Sequence, residues 1–177
     1  APSFFQVNTE QAERMIELVR GYLRAEPTDL LVADSVGEEC SAADRDAGAL
    51  PGTTRAILDR LAPGIEDTLH PRDLSEGQRL ALALSVVLAA EPPILLLDEP
   101  TRGLDYAAKR HLVMSLQSLA ADGHCILLAT HDVELAAEVA TRVVVLADGE
   151  VVADGPATDV VIGSPMFAPQ VSKVLAP

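Results

Sequence analysis

Asp73-Leu74-Ser75-Glu76-Gly77-Gln78, followed further along by Ile94-Leu95-Leu96-Leu97-Asp98-Glu99-Pro100, is the stretch whose reading decides the fold. The second string is a short apolar run that delivers two adjacent acids, Asp98 and Glu99, to its end. Such runs read as strands from the middle of a parallel sheet, covered on both faces. Open α/β sheets bind ligands just beyond the carboxyl ends of these strands. An acid pair placed there suits Mg²⁺ coordination and the activation of water in a nucleotide site, and two unpaired acids at a buried strand end are costly without a cation. In the first string Ser75 stands at a helix N-cap and small Gly77 falls in the first turn, a seat for a phosphate. Ser75 to Gln78 is also a plain capping box, Ser-x-x-Gln, which satisfies helix-end donors with no ligand at all.

The chain has 177 residues, the length of one domain. Hydrophobic residues make up 49% but aromatic ones only 3%, so the core must be built from Leu, Val, Ile and Ala. The formal net charge of −14 argues against nonspecific nucleic-acid binding, which needs a basic face. Cys40 and Cys125 fall in no metal-ligand pattern and are expected to be free, buried thiols in a reducing compartment. The apolar run from Leu80 to Ala90 is too short to span a bilayer. Glu10, Glu13 and Glu17 interrupt the first residues, so no signal peptide is expected and the chain reads as soluble and cytoplasmic. It opens on Ala1 rather than Met and is taken as a piece or processed product of something longer.

The periodicity predicts a helix over Asn8–Ala25, with Met15, Ile16, Val19 and Leu23 on one face. Residues 41–53 are Ala- and Gly-rich and polar and read as a surface connection, followed by short helix Thr54–Leu61 and a helix from Glu76 to Ala90 that Pro92-Pro93 stops. From there the pattern alternates: strand Ile94–Leu97, helix Asp105–Ala120, strand Cys125–Ala129, helix Asp132–Ala140. Val143–Leu146 and Glu150–Ala153 flank Asp148-Gly149 as a hairpin. Residues 156–163 read as a further helix and the tail from Pro165 as an extended arm. Strand–helix alternation with apolar strands predicts an α/β fold on a parallel sheet.

Set together, these strings resemble an ABC-type ATPase. Leu74-Ser75-Glu76-Gly77-Gln78 resembles the ABC signature, usually Leu-Ser-Gly-Gly-Gln, with Glu76 in place of the first glycine. Asp98-Glu99-Pro100 resembles the Walker B motif, and the resemblance implies Asp98 on Mg²⁺ and Glu99 orienting or deprotonating the attacking water. Gly103-Leu104-Asp105 resembles the D-loop, with Asp105 reaching across a dimer; Asp105 also suits the N-cap of the next helix. A lone histidine is usually structural, but His131 follows the strand after Walker B, where the ABC switch histidine contacts the γ-phosphate. A metal-dependent phosphohydrolase built on His131-Asp132 would need further histidines at helical spacing, which His70, His111 and His124 do not supply.

From about Pro27 to Pro177 the chain looks like the ATPase subunit of energy-coupling-factor transporters, which import vitamins and metal ions such as cobalt. The likeness rests on His70 to Gln78, on Pro100 to Asp105 and on Phe167-Ala168-Pro169-Gln170-Val171. It implies a P-loop-NTPase-like parallel sheet flanked by helices, with a helical subdomain at about 41–91, a catalytic core at about 93–165 and a tail at 166–177. Residues 1–26 form a lead segment outside the likeness, which covers 27–165 as the ATPase domain. ATP and Mg²⁺ are the implied cofactors. A second ABC ATPase domain, met head to tail, and integral membrane transporter subunits are the implied partners, with the chain peripheral on the inner face of the membrane.

The P-loop portion is missing. Gly-x-x-x-x-Gly-Lys-Ser/Thr supplies the lysine and backbone donors for the β- and γ-phosphates, yet the lysines here are Lys109 and Lys173 and neither follows a glycine. A Gln loop is expected near Pro27, where Arg24-Ala25-Glu26 stand instead; Gln6 and Gln11 lie too far upstream. Two readings therefore remain. One is the catalytic end of a transport ATPase whose P-loop lies upstream; the other is a noncatalytic half that only donates its signature to another subunit. Retention of Asp98, Glu99 and His131 favours the first. A DNA-repair or chromosome-structure ABC ATPase is disfavoured by the acidic charge and the absence of coiled-coil heptads.

Overall fold

A computed structural model describes residues 3–4, 31–147 and 150–162. In chain order these form β1 (Ser3–Phe4), α1 (Val36–Ala47), α2 (Thr53–Leu61), a 3-10 turn (Pro71–Asp73), α3 (Glu76–Leu88) and β2 (Ile94–Asp98). There follow α4 (Tyr106–Ala121), β3 (Cys125–Ala129), α5 (Val133–Val139), β4 (Arg142–Ala147), β5 (Glu150–Pro156) and a π-helical turn (Thr158–Ile162). The helix expected over Asn8–Ala25, the Asp148-Gly149 turn, the Gln-loop region and the tail from Pro165 lie outside the described residues.

The described residues fall into two units, each with its own packing. One, helical, comprises 31–93 with 103–115. Residues 41–47, expected in a surface connection, are helical instead and belong to α1. Ser35 caps that helix by accepting the Glu38 N–H, and Gly48 ends it at φ 65°, where its own N–H and that of Ala49 return to the carbonyls of Arg45 and Asp44. That is a Schellman close, for which glycine is the natural residue. Val36, Glu39, Cys40, Ala43 and Asp44 are buried at helical spacing. Two acids in the stripe hide its amphipathic character. Both are satisfied: Glu39 Oε2 accepts the Ala33 N–H at 2.8 Å, and Asp44 accepts from Gly52 N (2.6 Å), Thr54 N (2.8 Å) and Thr54 Oγ1 (2.6 Å).

Asp44 thus caps α2 from another helix, and α2 has no side-chain cap from its own N-cap residue. Burial pushes the Asp44 carboxyl up, but the Thr54 hydroxyl and the amides of Thr54 and Gly52 outweigh it and hold the carboxyl below its ordinary value. Asp44→Ala is expected to cost about 3 kcal/mol in urea unfolding, since it orphans buried donors. With the folded value depressed, this contribution is full above about pH 4. It fades as pH falls through the lower folded-state value; Asp44→Ala should therefore flatten the acid limb of the stability curve.

The second unit comprises 94–102 and the described residues from Leu116 onward, with Ser3–Phe4. β2 and β3 pair parallel, from Ile94 opposite Cys125 to Asp98 opposite Ala129, joined through α4. Helix α4 closes through Gly123 (φ 97°), with Gly123 N–H on Ala120 O and His124 N–H on Leu119 O. β4 and β5 form the expected antiparallel hairpin, with a register shift between Val145 and Leu146, and β1 pairs antiparallel with β4. Arg142 grips Asp154 through Nε (2.8 Å) and Nη2 (2.7 Å) across that hairpin. The core here is Val133, Val143, Val145, Ala157 and Val161. Of the segment expected as a helix at 156–163, the described residues form one π-helical turn, Thr158–Ile162.

The expectation of strands covered on both faces holds only in part. Leu95 is buried, but Leu96, Leu97 and Ile126 to Leu128 are half-exposed; among the described residues β2 and β3 pair only with each other. Cys125, expected to be buried, is exposed at the first position of β3, while Cys40 is buried in α1. Burial, with a smaller push from Asp67, Asp44 and Glu39 against the pull of Arg55, raises the Cys40 thiol to about 11. Since the thiolate is the nucleophile, iodoacetamide should label Cys125 and spare Cys40 in the folded protein, as read by peptide mass spectrometry. Equal labelling would contradict this.

Candidate functional site

The first cluster lies wholly in the helical unit. The capping box forms as the sequence suggests: Gln78 N–H donates to Ser75 Oγ at 3.3 Å and Ser75 N–H to Gln78 Oε1 at 3.0 Å. This fixes the start of α3, with Ser75 and Glu76 exposed. Leu74 is only 3% exposed, and its carbonyl accepts from Arg79 Nη2 at 2.9 Å, so its side chain packs rather than faces a ligand. Glu76 turns back to Arg79 Nη1 at 3.0 Å. Gly77 is needed for close approach within the chain itself, because a Cβ there would sit 2.8 Å from the Ala108 Cβ. Asp105 caps α4, its Oδ1 accepting the Ala108 N–H at 2.8 Å. Ser75, Gly77, Gln78, Asp105 and Ala108 share the lining of one groove of ≈ 340 Å³. Sequence reading missed Ala108, a contact between residues far apart in the chain that no local pattern announces.

The second cluster lies wholly in the sheet unit, beyond the carboxyl ends of β2 and β3. Asp98 ends β2 with its side chain exposed. Glu99 takes φ 46°, a left-handed conformation rare outside glycine. Its N–H donates to Ala129 O at 2.8 Å, one bond further along the parallel β2–β3 pairing. Its carboxylate then meets the residues that follow β3. Oε1 lies 2.7 Å from His131 Nδ1 and accepts the His131 N–H at 3.0 Å, and Oε2 accepts from Thr130 Oγ1 at 3.3 Å. Asp132 caps α5 through the Leu135 N–H at 3.1 Å. A strained backbone that aims an acid at an imidazole is the kind of feature found at reactive sites. The arrangement can orient a water and take its proton while the imidazole donates to, or accepts from, a neighbouring group.

The structure therefore brings Glu99 and His131 into contact, and Ser75, Gly77, Gln78 and Asp105 around one groove. Among the described residues no group of three or more His, Cys, Asp or Glu is placed to hold a metal.

Comparison with known proteins places the fold in a class. A family model described as "AAA domain, putative AbiEii toxin, Type IV TA system" matches residues 4–137, and the chain belongs to that family. It is 71% identical over 163 residues to a "Putative ABC transporter ATP-binding protein" of Streptomyces coelicolor, and 34% identical over 155 residues to one from Clostridium tetani. Those matches cover 91% and 87% of this chain but 29% and 36% of the relatives, so the chain spans about a third of the length of these two curated proteins. Among solved structures, cbiO1 of Clostridium perfringens, part of the ABC transporter complex cbiONQ, superposes with TM-score 0.64 at 27% identity, covering 85% of this chain and 64% of that one. The ATP-binding cassette MJ0796, a dimer bound to ADP and Pi, matches with TM-score 0.59 at 27% identity, covering 72% and 60%. The fold is that of part of an ABC ATPase nucleotide-binding domain.

Proposed function

We propose that this chain is the catalytic C-terminal part of an ABC ATPase subunit, and that the longer protein hydrolyses ATP to drive an importer of the energy-coupling-factor kind, moving a vitamin or metal ion through integral membrane partners. The observation that carries the reading is the Glu99–His131 contact at the end of the parallel strand pair. Glu99 receives the proton of the attacking water, and His131 holds Glu99 and faces the γ-phosphate. Ser75, Gly77 and Gln78 present the α3 N-terminus to a phosphate, supported by the helix dipole, and Asp105 reaches the opposing domain in a head-to-tail dimer. Leu74 and Glu76 shape the same turn. Asp98 supplies one exposed carboxylate, and Mg²⁺ takes one or two carboxylates with waters and phosphate oxygens as its usual set, so the donors fit an ion that arrives with nucleotide. Such an ion neutralises charge on the phosphates. A domain plan of lead segment 1–26, helical part, core to 165 and tail 166–177 follows the same reading, with the helical part reaching back to Val36.

The second reading, a half that only lends its signature to another subunit, is supported by the absence of a P-loop motif in these residues. The Glu99–His131 pair weighs against it, since a donor has no use for that pair. Calorimetry tests the first reading. The chain alone is expected to bind Mg-ATP at least about a hundredfold more weakly than the longer protein, because a helix terminus alone supplies few phosphate donors. Micromolar binding by the chain alone would contradict it. Uptake of labelled cobalt and of B vitamins in cells lacking the gene tests the transport class; unchanged uptake of every one would count against it.

A further inference from the structure

We propose that Thr130 is a positioning residue for the Glu99 carboxylate, a role that rests on the reading of Glu99 as the base. Thr130 is 1% exposed, between the end of β3 and His131. Its Oγ1 accepts the Asp132 N–H at 3.0 Å and lies 3.3 Å from Glu99 Oε2. A carboxylate only accepts, so the single hydroxyl proton goes to Glu99. Among the described residues the other contacts on the carboxylate, His131 N–H and Nδ1, both fall on Oε1. Without Thr130 the carboxylate is held at one oxygen and can pivot about it; with Thr130 it is held at both, and its plane is fixed. The same hydroxyl ties the acid to Asp132, the cap of α5, so that strand end, base and helix start move as one. Apo geometry of this kind is often long and tightens in the substrate complex.

The test uses the full-length protein with its partners and compares Thr130→Val, Thr130→Ser, Glu99→Gln and the Glu99→Gln/Thr130→Val double variant. Valine keeps the shape and removes the hydroxyl. Thr130→Val is expected to lower kcat for ATP about tenfold with KM unchanged, Thr130→Ser to restore it to within about twofold, and the valine to add nothing once Glu99 is Gln. Wild-type kcat in Thr130→Val, or equal loss in the valine and serine variants, overturns the role while leaving Glu99 as base. Wild-type turnover in Glu99→Gln removes the base and the positioning role together. A readout without ATP separates geometry from chemistry: hydrogen exchange at the His131 amide, which donates to Glu99, should speed up about tenfold in Thr130→Val and stay near wild type in Thr130→Ser. Unchanged exchange overturns the proposal.

Discussion

Glu99→Gln is expected to slow ATP hydrolysis by about a hundredfold or more at this chain's own ATP site, while ATP still binds. Gln keeps the length of Glu99 and can still accept the His131 N–H seen at 3.0 Å, so the loop beyond β2 should hold its shape. What it loses is the base. His131→Ala should be less severe for folding, since the imidazole is exposed, but should release the Glu99 carboxylate from its contact at 2.7 Å. If the chain only donates a signature, Glu99→Gln leaves the partner's hydrolysis untouched. Loss of turnover with retained binding separates the two readings in one variant, measured in the full-length gene product.

Gly77→Asp is expected to abolish most of the activity of the assembled dimer, for two reasons that can be separated. It places a negative charge where a phosphate must approach the α3 N-terminus. It also inserts a Cβ 2.8 Å from the Ala108 Cβ, closer than packed atoms tolerate, so the substitution alone should cost about 1–3 kcal/mol of stability. Ala108→Gly removes the clash, because the Ala108 Cα lies at an ordinary 3.8 Å. The helix-propensity cost of that glycine is about 1 kcal/mol. In the Gly77→Asp/Ala108→Gly double variant stability should recover relative to Gly77→Asp and ATPase activity should not. If activity recovers with stability, the phosphate reading of Gly77 fails and only helix packing remains. A wild-type melting temperature in Gly77→Asp would contradict the packing argument instead.

The parts of the fold legible in the sequence were those set by local chemistry. Ser75 and Gln78 announce the start of α3 and Asp132 that of α5, each placed where its side chain satisfies backbone groups nearby, while the apolar runs announce β2 and β3. Helix α1 escaped because Glu39 and Asp44 occupy its buried face, and the amides and hydroxyl that satisfy them come from Ala33, Gly52 and Thr54, on other turns of chain. The exposure of Cys125 goes with its place at the first position of β3, opposite exposed Ile94, which composition does not disclose. At the site, the acids and the histidine were legible as types at strand ends. Their contact was not, because it depends on the left-handed turn at Glu99, a conformation that no residue preference predicts. Gly77 was legible as a position of close approach, but the partner in the structure is Ala108. Thr130 carried a weak signal, a hydroxyl two residues before a helix cap.

The identity of the nucleotide that stays on the protein tests the central claim most directly. The full-length gene product and its Glu99→Gln variant are incubated with Mg-ATP, freed of unbound nucleotide by rapid desalting, denatured, and the released nucleotide resolved by anion-exchange chromatography. If Glu99 activates water in this chain's own ATP site, the variant should retain mainly ATP where the wild type retains mainly ADP. Equal proportions of ADP in both would contradict the account.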